Sequence, residues 1–169
     1  MLRRVEIRRL GPSNAEDFRY IRLFALQTAP EAFGSTWEME APRPLSAWED
    51  RLKTPAAFGA YEDGKIVGMA RFLQDTGSEK ERHKGSVYGM FVAPAARGQC
   101  VGSALLTALI DYASTMVEQL RLGVVDTNAA AIQLYQKHGF EIYGTEMRAL
   151  KTPYGYSNEL LMALRLKDD

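Results

Sequence analysis

Arg97, Gly98, Gly102 and Ser103 crowd into one short stretch, AARGQCVGSALL, directly ahead of an apolar helical pattern. A helix start exposes unpaired backbone N–H groups and the positive end of the peptide dipoles, so it draws an anion. Glycine lets the backbone approach that anion closely. The chemistry on offer is anion holding, with a purely structural turn as the alternative. No Gly-Lys-Ser/Thr follows, so the stretch is not a Walker A loop, and it lacks the G-x-G-x-x-G of a dinucleotide fold. A nucleotide-phosphate enzyme is opposed on that ground. Cys100 stands where such loops often keep glycine. A left-handed backbone there would cost cysteine about 1–2 kcal/mol. Ordinary helical geometry is the preferred expectation, with the side chain turned away from the phosphates.

These residues need elements to position them. Val5–Arg8 alternates as a short strand, and Ser13-Asn14-Ala15-Glu16 has the capping-box pattern ahead of a helix to about Thr28. Ala29-Pro30 stops that helix. Residues 31–44 look irregular, and Ser46-Ala47-Trp48-Glu49 repeats the capping pattern before a helix to about Lys53. Asp63-Gly64 between two apolar runs predicts a hairpin. Residues 75–84 form a solvated connection, then Ser86–Val92 is a strand, and Leu105, Leu106, Leu109, Ile110 and Ala113 have helical spacing. Leu120–Val125 is the next strand. Asn128 offers a cap for the helix Ala129–Lys137, with Gly139 as its stop. Two further strands, Phe140–Arg148 and Glu159–Leu166, flank a turn at residues 153–156. Strands and helices alternate without repeat or linker, so residues 1–169 are expected to form one mixed α/β domain.

Composition narrows the function. Twenty-one basic residues balance twenty-one acidic ones, leaving no global field for nucleic acid or an anionic membrane. One cysteine allows no intramolecular disulfide, and two histidines, His83 and His138, lack ligand spacing, so no metal site is expected. No apolar core of a signal peptide and no run of membrane length is present, which makes a cytoplasmic setting the default expectation.

FVAPAARGQCVGSALL resembles the acyl-CoA signature of the GNAT superfamily of N-acetyltransferases: Arg or Gln, any two residues, Gly, any residue, then Gly or Ala. Arg97 takes the first place, Cys100 the usual glycine and Gly102 the last. The stretch NAAAIQLYQKHGF, residues 128–140, resembles the same family's N-x-x-A-x-x-L-Y-x-x-x-G-F block. Either motif alone is weak; both in order are specific. The resemblance implies a mixed, mostly antiparallel sheet of six to seven strands, splayed between two central parallel strands ending at Val92 and Val125, with about four helices. It implies acetyl-CoA as co-substrate, its pantetheine on the backbone near Phe91 and Val92. The pyrophosphate would take N–H groups across Arg97, Gly98, Gln99, Cys100, Val101, Gly102 and Ser103. Members of this family are often homodimers.

Carried over onto this chain, Tyr135 matches the tyrosine that protonates the leaving thiolate. A phenol, pKa ~10, suits a thiol of pKa ~8.5. The alternative is that Tyr135 packs like the phenylalanines around it. Asn128 would contact the pantetheine arm or simply cap its helix. The implied reaction is direct attack on the thioester by a primary amine of a small molecule or of a protein N-terminus. Some relatives carry a glutamate on the strand before the CoA loop, but SVYGMF has none. Glu38, Glu40 and Glu159 are the candidate bases, each weighed against an ordinary solvated carboxylate. Trp37, Trp48, Tyr88, Tyr154 and Tyr156 could line an acceptor pocket, with residues 151–156 overhanging it. The lack of a long acidic run argues against polyamines. The competing class is a catalytically silent acyl-CoA-binding or sensor domain on the same fold.

Overall fold

The computed structural model describes residues 4–54 and 56–168. Twelve elements follow one another: β1 (Val5–Leu10), α1 (Ala15–Thr28), α2 (Trp37–Glu40), α3 (Leu45–Arg51), β2 (Ala56–Glu62), β3 (Lys65–Gln74), β4 (Lys84–Val92), α4 (Val101–Ala113), β5 (Gln119–Val125), α5 (Ala129–Lys137), β6 (Glu141–Thr152) and β7 (Gly155–Arg165). The strands form one sheet in the order β1-β2-β3-β4-β5-β7-β6. Every neighbouring pair is antiparallel except β4 and β5. That parallel pair joins only Lys84↔Gln119, Gly85↔Leu120 and Ser86↔Arg121. Beyond Ser86 and Arg121 the two strands part. The splay expected from the motifs is therefore present, where strand ends offer unpaired backbone groups.

Two apolar clusters cover the two faces. Leu105, Leu106 and Leu109 of α4 pack with Phe58, Phe72, Leu120, Leu122 and Met162. Phe18, Ile21 and Trp48 of α1 and α3 pack with Met69 and Phe91 on the other side. Leu120, Leu122 and Val124 belong to the α4 cluster, so strand alternation turns Arg121, Gly123 and Val125 to the opposite face. The β2–β3 hairpin turns at Asp63 (φ 49°) and Gly64 (φ 77°), as Asp-Gly requires. Between β3 and β4 the register shifts: Met69 pairs Phe91 but Arg71 pairs Tyr88, so Ala70 faces both Gly89 and Met90. Gly89 takes φ 63° in this bulge. Bulges re-aim side chains, and this one sits where the splay opens.

Some local expectations fail. Neither capping box forms. Asn14 is the N-cap of α1, and its Oδ1 accepts from the Gly11 N–H (2.9 Å). Pro44 precedes α3, so Ser46 lies inside the helix. Proline presets the backbone that a helix start needs, and this displaces the serine. The stretch read as irregular holds α2, capped by Thr36 Oγ1 accepting from Met39 N–H. Among the described residues there are thus five helices, in keeping with the about four expected.

Candidate functional site

A groove of about 590 Å³ runs across the splay. One wall is the end of β4 with Met90, Phe91 and Val92; the other holds Val125, Asn128 and, on α5, Ala131 and Leu134. The turn before α4 also lines it, with Arg97, Gly98, Cys100, Val101, Gly102 and Ser103, as do Thr28 at the end of α1 and Ala29 and Phe33 after it. Of the residues that the motifs single out, Gln99 and Tyr135 are not among its lining.

The turn is built for an anion. Pro94–Ala96 form one turn of tight helix, and Arg97 Nε then donates to the Val92 carbonyl at 3.0 Å, tying the loop to the strand end. Gly98 has φ 77°, with open space where a side chain would stand. Cys100 has φ 61° and ψ 19°, a left-handed conformation. The expectation of ordinary helical geometry at Cys100 is thus wrong: the chain must reverse sharply between Gln99 and Val101 to aim α4 at the groove. Left-handed residues alternating with others turn successive N–H groups inward, a concavity suited to anions. The first intrahelical bond runs from Ala104 N–H to the Cys100 carbonyl (3.0 Å). The N–H groups of Val101, Gly102 and Ser103 thus have no helical acceptor. Gly102 also serves packing, because a Cβ there would stand 3.0 Å from Leu134 and 3.7 Å from Val92.

The strained cysteine gives a direct prediction. Cys100→Gly removes a left-handed penalty of about 1 kcal/mol, so the melting temperature should rise by roughly 2–4 °C. The strain is the same with and without ligand, so CoA affinity should move less than about tenfold, on the order of 1.4 kcal/mol. Calorimetry of both variants checks this; an unchanged melting temperature, or a hundredfold affinity gain, contradicts it. Cys100 is exposed and lines the groove, so bound CoA should slow its alkylation.

The second motif lies in α5. Asn128 caps the helix, its Oδ1 accepting from Ala131 N–H at 3.3 Å, and also lines the groove. Both readings of Asn128 are therefore compatible. Tyr135 is 6% exposed, edge-on to Phe140 at 5.8 Å between centroids. Burial pushes its phenol well above the ordinary value. Two residues of this region escaped the sequence reading. Lys137 lines the groove, and His138 Nε2 lies 2.8 Å from Ser103 Oγ, fastening the end of α5 to the first turn of α4. Burial first, and then Lys137, lower the His138 pKa from its usual value, so the ring is neutral at pH 7. In the sequence His138 stood out only for lacking metal-ligand spacing, which gave no sign of this tertiary pairing.

On the sheet face away from α4, the candidate bases separate. Glu40 is buried and accepts from Arg22 Nη2 (2.9 Å), Arg22 Nε (3.1 Å) and Arg51 Nη1 (3.0 Å). Although burial raises a carboxyl, those arginines win and hold Glu40 down to about 2. It is locked as a counterion and cannot collect a proton near neutrality. Glu38 is exposed in α2. Glu159 differs from both. It pairs with the groove residue Val125 across β5 and β7, and its carboxylate fills the space where a side chain on Gly123 would stand. Burial, and then Glu146 opposite it, raise the Glu159 pKa.

The aromatic expectations resolve unevenly. Trp48 is fully buried against Phe18 and cannot line a pocket. Tyr154, at the β6–β7 tip, is 99% exposed. Trp37 lines a shallow depression with Tyr20 and Phe24 of α1, apart from the groove. Tyr88 is the aromatic that stands beside the splay, with Arg71 stacked 4.9 Å above its ring.

A sheet parting between two central parallel strands, with a glycine-bearing turn between strand and helix, is the scaffold that the resemblance of the two motifs implies. Residues 22–140 match the model of the acetyltransferase (GNAT) family, and the chain belongs to that family. It is an acetyltransferase of the GNAT N-acetyltransferase type. An L-amino acid N-acetyltransferase from Escherichia coli K12 is 29% identical over 138 residues, covering 78% of this chain and 83% of that protein. A mycothiol acetyltransferase from Acidothermus cellulolyticus is 31% identical over 85% of this chain, which spans about half (46%) of that relative's length. The solved structure of yncA from Salmonella typhimurium with its cofactor acetyl-CoA superposes with a TM-score of 0.84 at 22% identity, covering 98% of this chain and 96% of that one. Among the described residues, no helix is long and apolar enough to cross a membrane.

Proposed function

We propose that this chain moves an acetyl group from acetyl-CoA to a primary amine, by direct attack of the amine on the thioester. The observation that carries the reading is the groove itself: it crosses the splay and ends on the unpaired N–H groups of Val101, Gly102 and Ser103. An elongated ligand with a phosphate at one end and a reactive group at the other fits that shape. Acetyl-CoA supplies a thioester, whose carbonyl carbon takes the amine nitrogen while the carbon–sulfur bond breaks. The groups that would hold it are the turn from Arg97 to Ser103 and the backbone at Phe91 and Val92. Lys137 at the groove wall adds a cation where phosphates need one.

In this reading nitrogen gives up two protons and sulfur takes one: the first goes to Glu159, and the second, shed as the tetrahedral intermediate collapses to the amide, replaces the one that Tyr135 gives to sulfur. Glu159 takes one from the acceptor ammonium, since its raised pKa brings it closer to an amine's than an ordinary carboxylate's. The second motif gives Tyr135 the proton for the departing sulfur, although its buried ring stands outside the groove lining. Its raised pKa keeps the phenol protonated throughout the working range, which is the form able to donate.

The reading separates from pure packing by one substitution. Tyr135→Phe keeps the ring against Phe140 and removes only the hydroxyl. The expected result is a fall in kcat of about 100-fold or more with an unchanged melting temperature and unchanged acetyl-CoA affinity. An unchanged kcat would make Tyr135 a core residue and remove it from the reaction.

A further inference from the structure

The arginines on the acceptor side of the sheet are not balanced. Arg22, Arg51 and Arg71 converge, and Glu40, with both oxygens engaged by Arg22 and Arg51, is the carboxylate that meets them. Arg71 is 6% exposed and has no carboxylate of its own. One Nη2–H donates to the Arg51 main-chain carbonyl (3.1 Å), its Nε has no partner, and the guanidinium lies between the rings of Phe18 and Tyr88. Burial, and then repulsion by Arg51 and Arg22, bring its pKa down to about 10. A buried cation without a counter-charge is costly.

The space beside it is shaped by Gly89. A side chain there would meet Arg71 Cδ at 3.5 Å and Arg22 Nη1 at 4.0 Å. That Nη1 is the Arg22 nitrogen not used on Glu40. Half-buried Gly89 thus puts no side chain of its own between β4 and these two arginines, which stand within van der Waals reach of its Cβ position. Ser86 and Arg121 are the last pair of β4 and β5, Tyr88 and Gly123 follow two residues later on the parting strands, and the Glu159 carboxylate lies over Gly123. Tyr88, paired with Arg71, and Gly123 share the face away from α4. Excess positive charge flanks one side of the splay and a carboxylate flanks the other.

We infer that the acceptor is an amine that carries its own carboxylate, a free amino acid, with the carboxylate on Arg71 and Arg22 and the amine toward Glu159. This rests on the acetyl-transfer reading of the same site and narrows its substrate class. A peptide N-terminus lacks the free α-carboxylate, and a simple alkylamine or polyamine would meet repulsion from the arginines.

The test compares matched acceptors with the wild-type protein and acetyl-CoA: a panel of L-amino acids, each with its α-amide and its decarboxylated amine. The amino acid of each set should exceed both analogues in kcat/KM by about 100-fold or more, because a site built for a charged group rejects the analogue lacking it. Arg71→Lys, which keeps the charge and loses the fork, should raise KM for the amino acid at least tenfold, leave KM for acetyl-CoA unchanged and shrink the preference over the amide. Equal or better use of amide or decarboxylated amine overturns the inference while acetyl transfer stands. Failure of every amine to be acetylated overturns acetyl transfer, and this inference with it.

Discussion

Replacing Glu159 with Gln should lower kcat by about 100-fold or more at neutral pH, the usual scale for a lost general base. Acetyl-CoA affinity should be unchanged, since Glu159 is not among the residues of the turn before α4 that line the groove. The pH dependence gives the sharper signature. Glu159 must be ionised to take a proton, and burial together with Glu146 raises its pKa. Wild-type kcat/KM should therefore rise with pH through that raised value, and the Gln variant should lose this limb. Glu146→Gln removes the facing charge and should shift the limb to lower pH, with the maximal rate nearly kept. Steady-state rates across pH for the three proteins decide the matter. An E159Q enzyme that retains both its rate and its acid limb would place the base elsewhere.

The largest stability effect should come from Glu40→Gln. Glu40 is the buried carboxylate that engages Arg22 and Arg51, and its removal leaves buried cations uncompensated. Breaking such a pair costs about 3–5 kcal/mol, a fall in melting temperature of roughly 10 °C for a chain of this size. The pH sign follows from the depressed pKa. Its folded value is about 2 against an unfolded value of 4.5, so the stabilisation is complete above 4.5 and is lost as pH falls toward 2. The wild-type protein should lose stability steeply across that window, and the Gln variant much less so. Calorimetric melts between those pH limits measure both effects. A loss below about 1 kcal/mol would show that the arginine cluster does not depend on Glu40.

The sequence made the scaffold and the donor side legible because both are local. Asp63-Gly64, the helix after Val101 and the cap at Asn128 follow from neighbours in the chain. The anion turn follows from glycines ahead of a helix, and nine of the eleven residues singled out there and in the second motif line the groove. Cys100 was misjudged because the demand for a left-handed backbone comes from the direction α4 must take, not from its neighbours. The rest is built from pairings between distant segments: Arg22 with Glu40, Arg71 with Tyr88 and Glu159 over Gly123 on the face away from α4, and Ser103 with His138 at the turn before α4. Nothing in local spacing announces them. Glu40 and Glu159 look alike as letters, yet two arginines lock one as a counterion while Glu146 and burial poise the other. Gly123 passes unnoticed inside the strand Leu120–Val125, and in the fold it leaves the space that the Glu159 carboxylate occupies.

The measurement that bears most directly on the central claim is acceptor-dependent release of CoA thiol from acetyl-CoA, followed with mass analysis of the acceptor. Acetyl transfer predicts thiol released in proportion to an N-acetylated product, absent without amine and strongly reduced in E159Q and Y135F. Tight binding of acetyl-CoA with no thiol released by any amine would contradict it and leave a silent acyl-CoA-binding domain on the same fold.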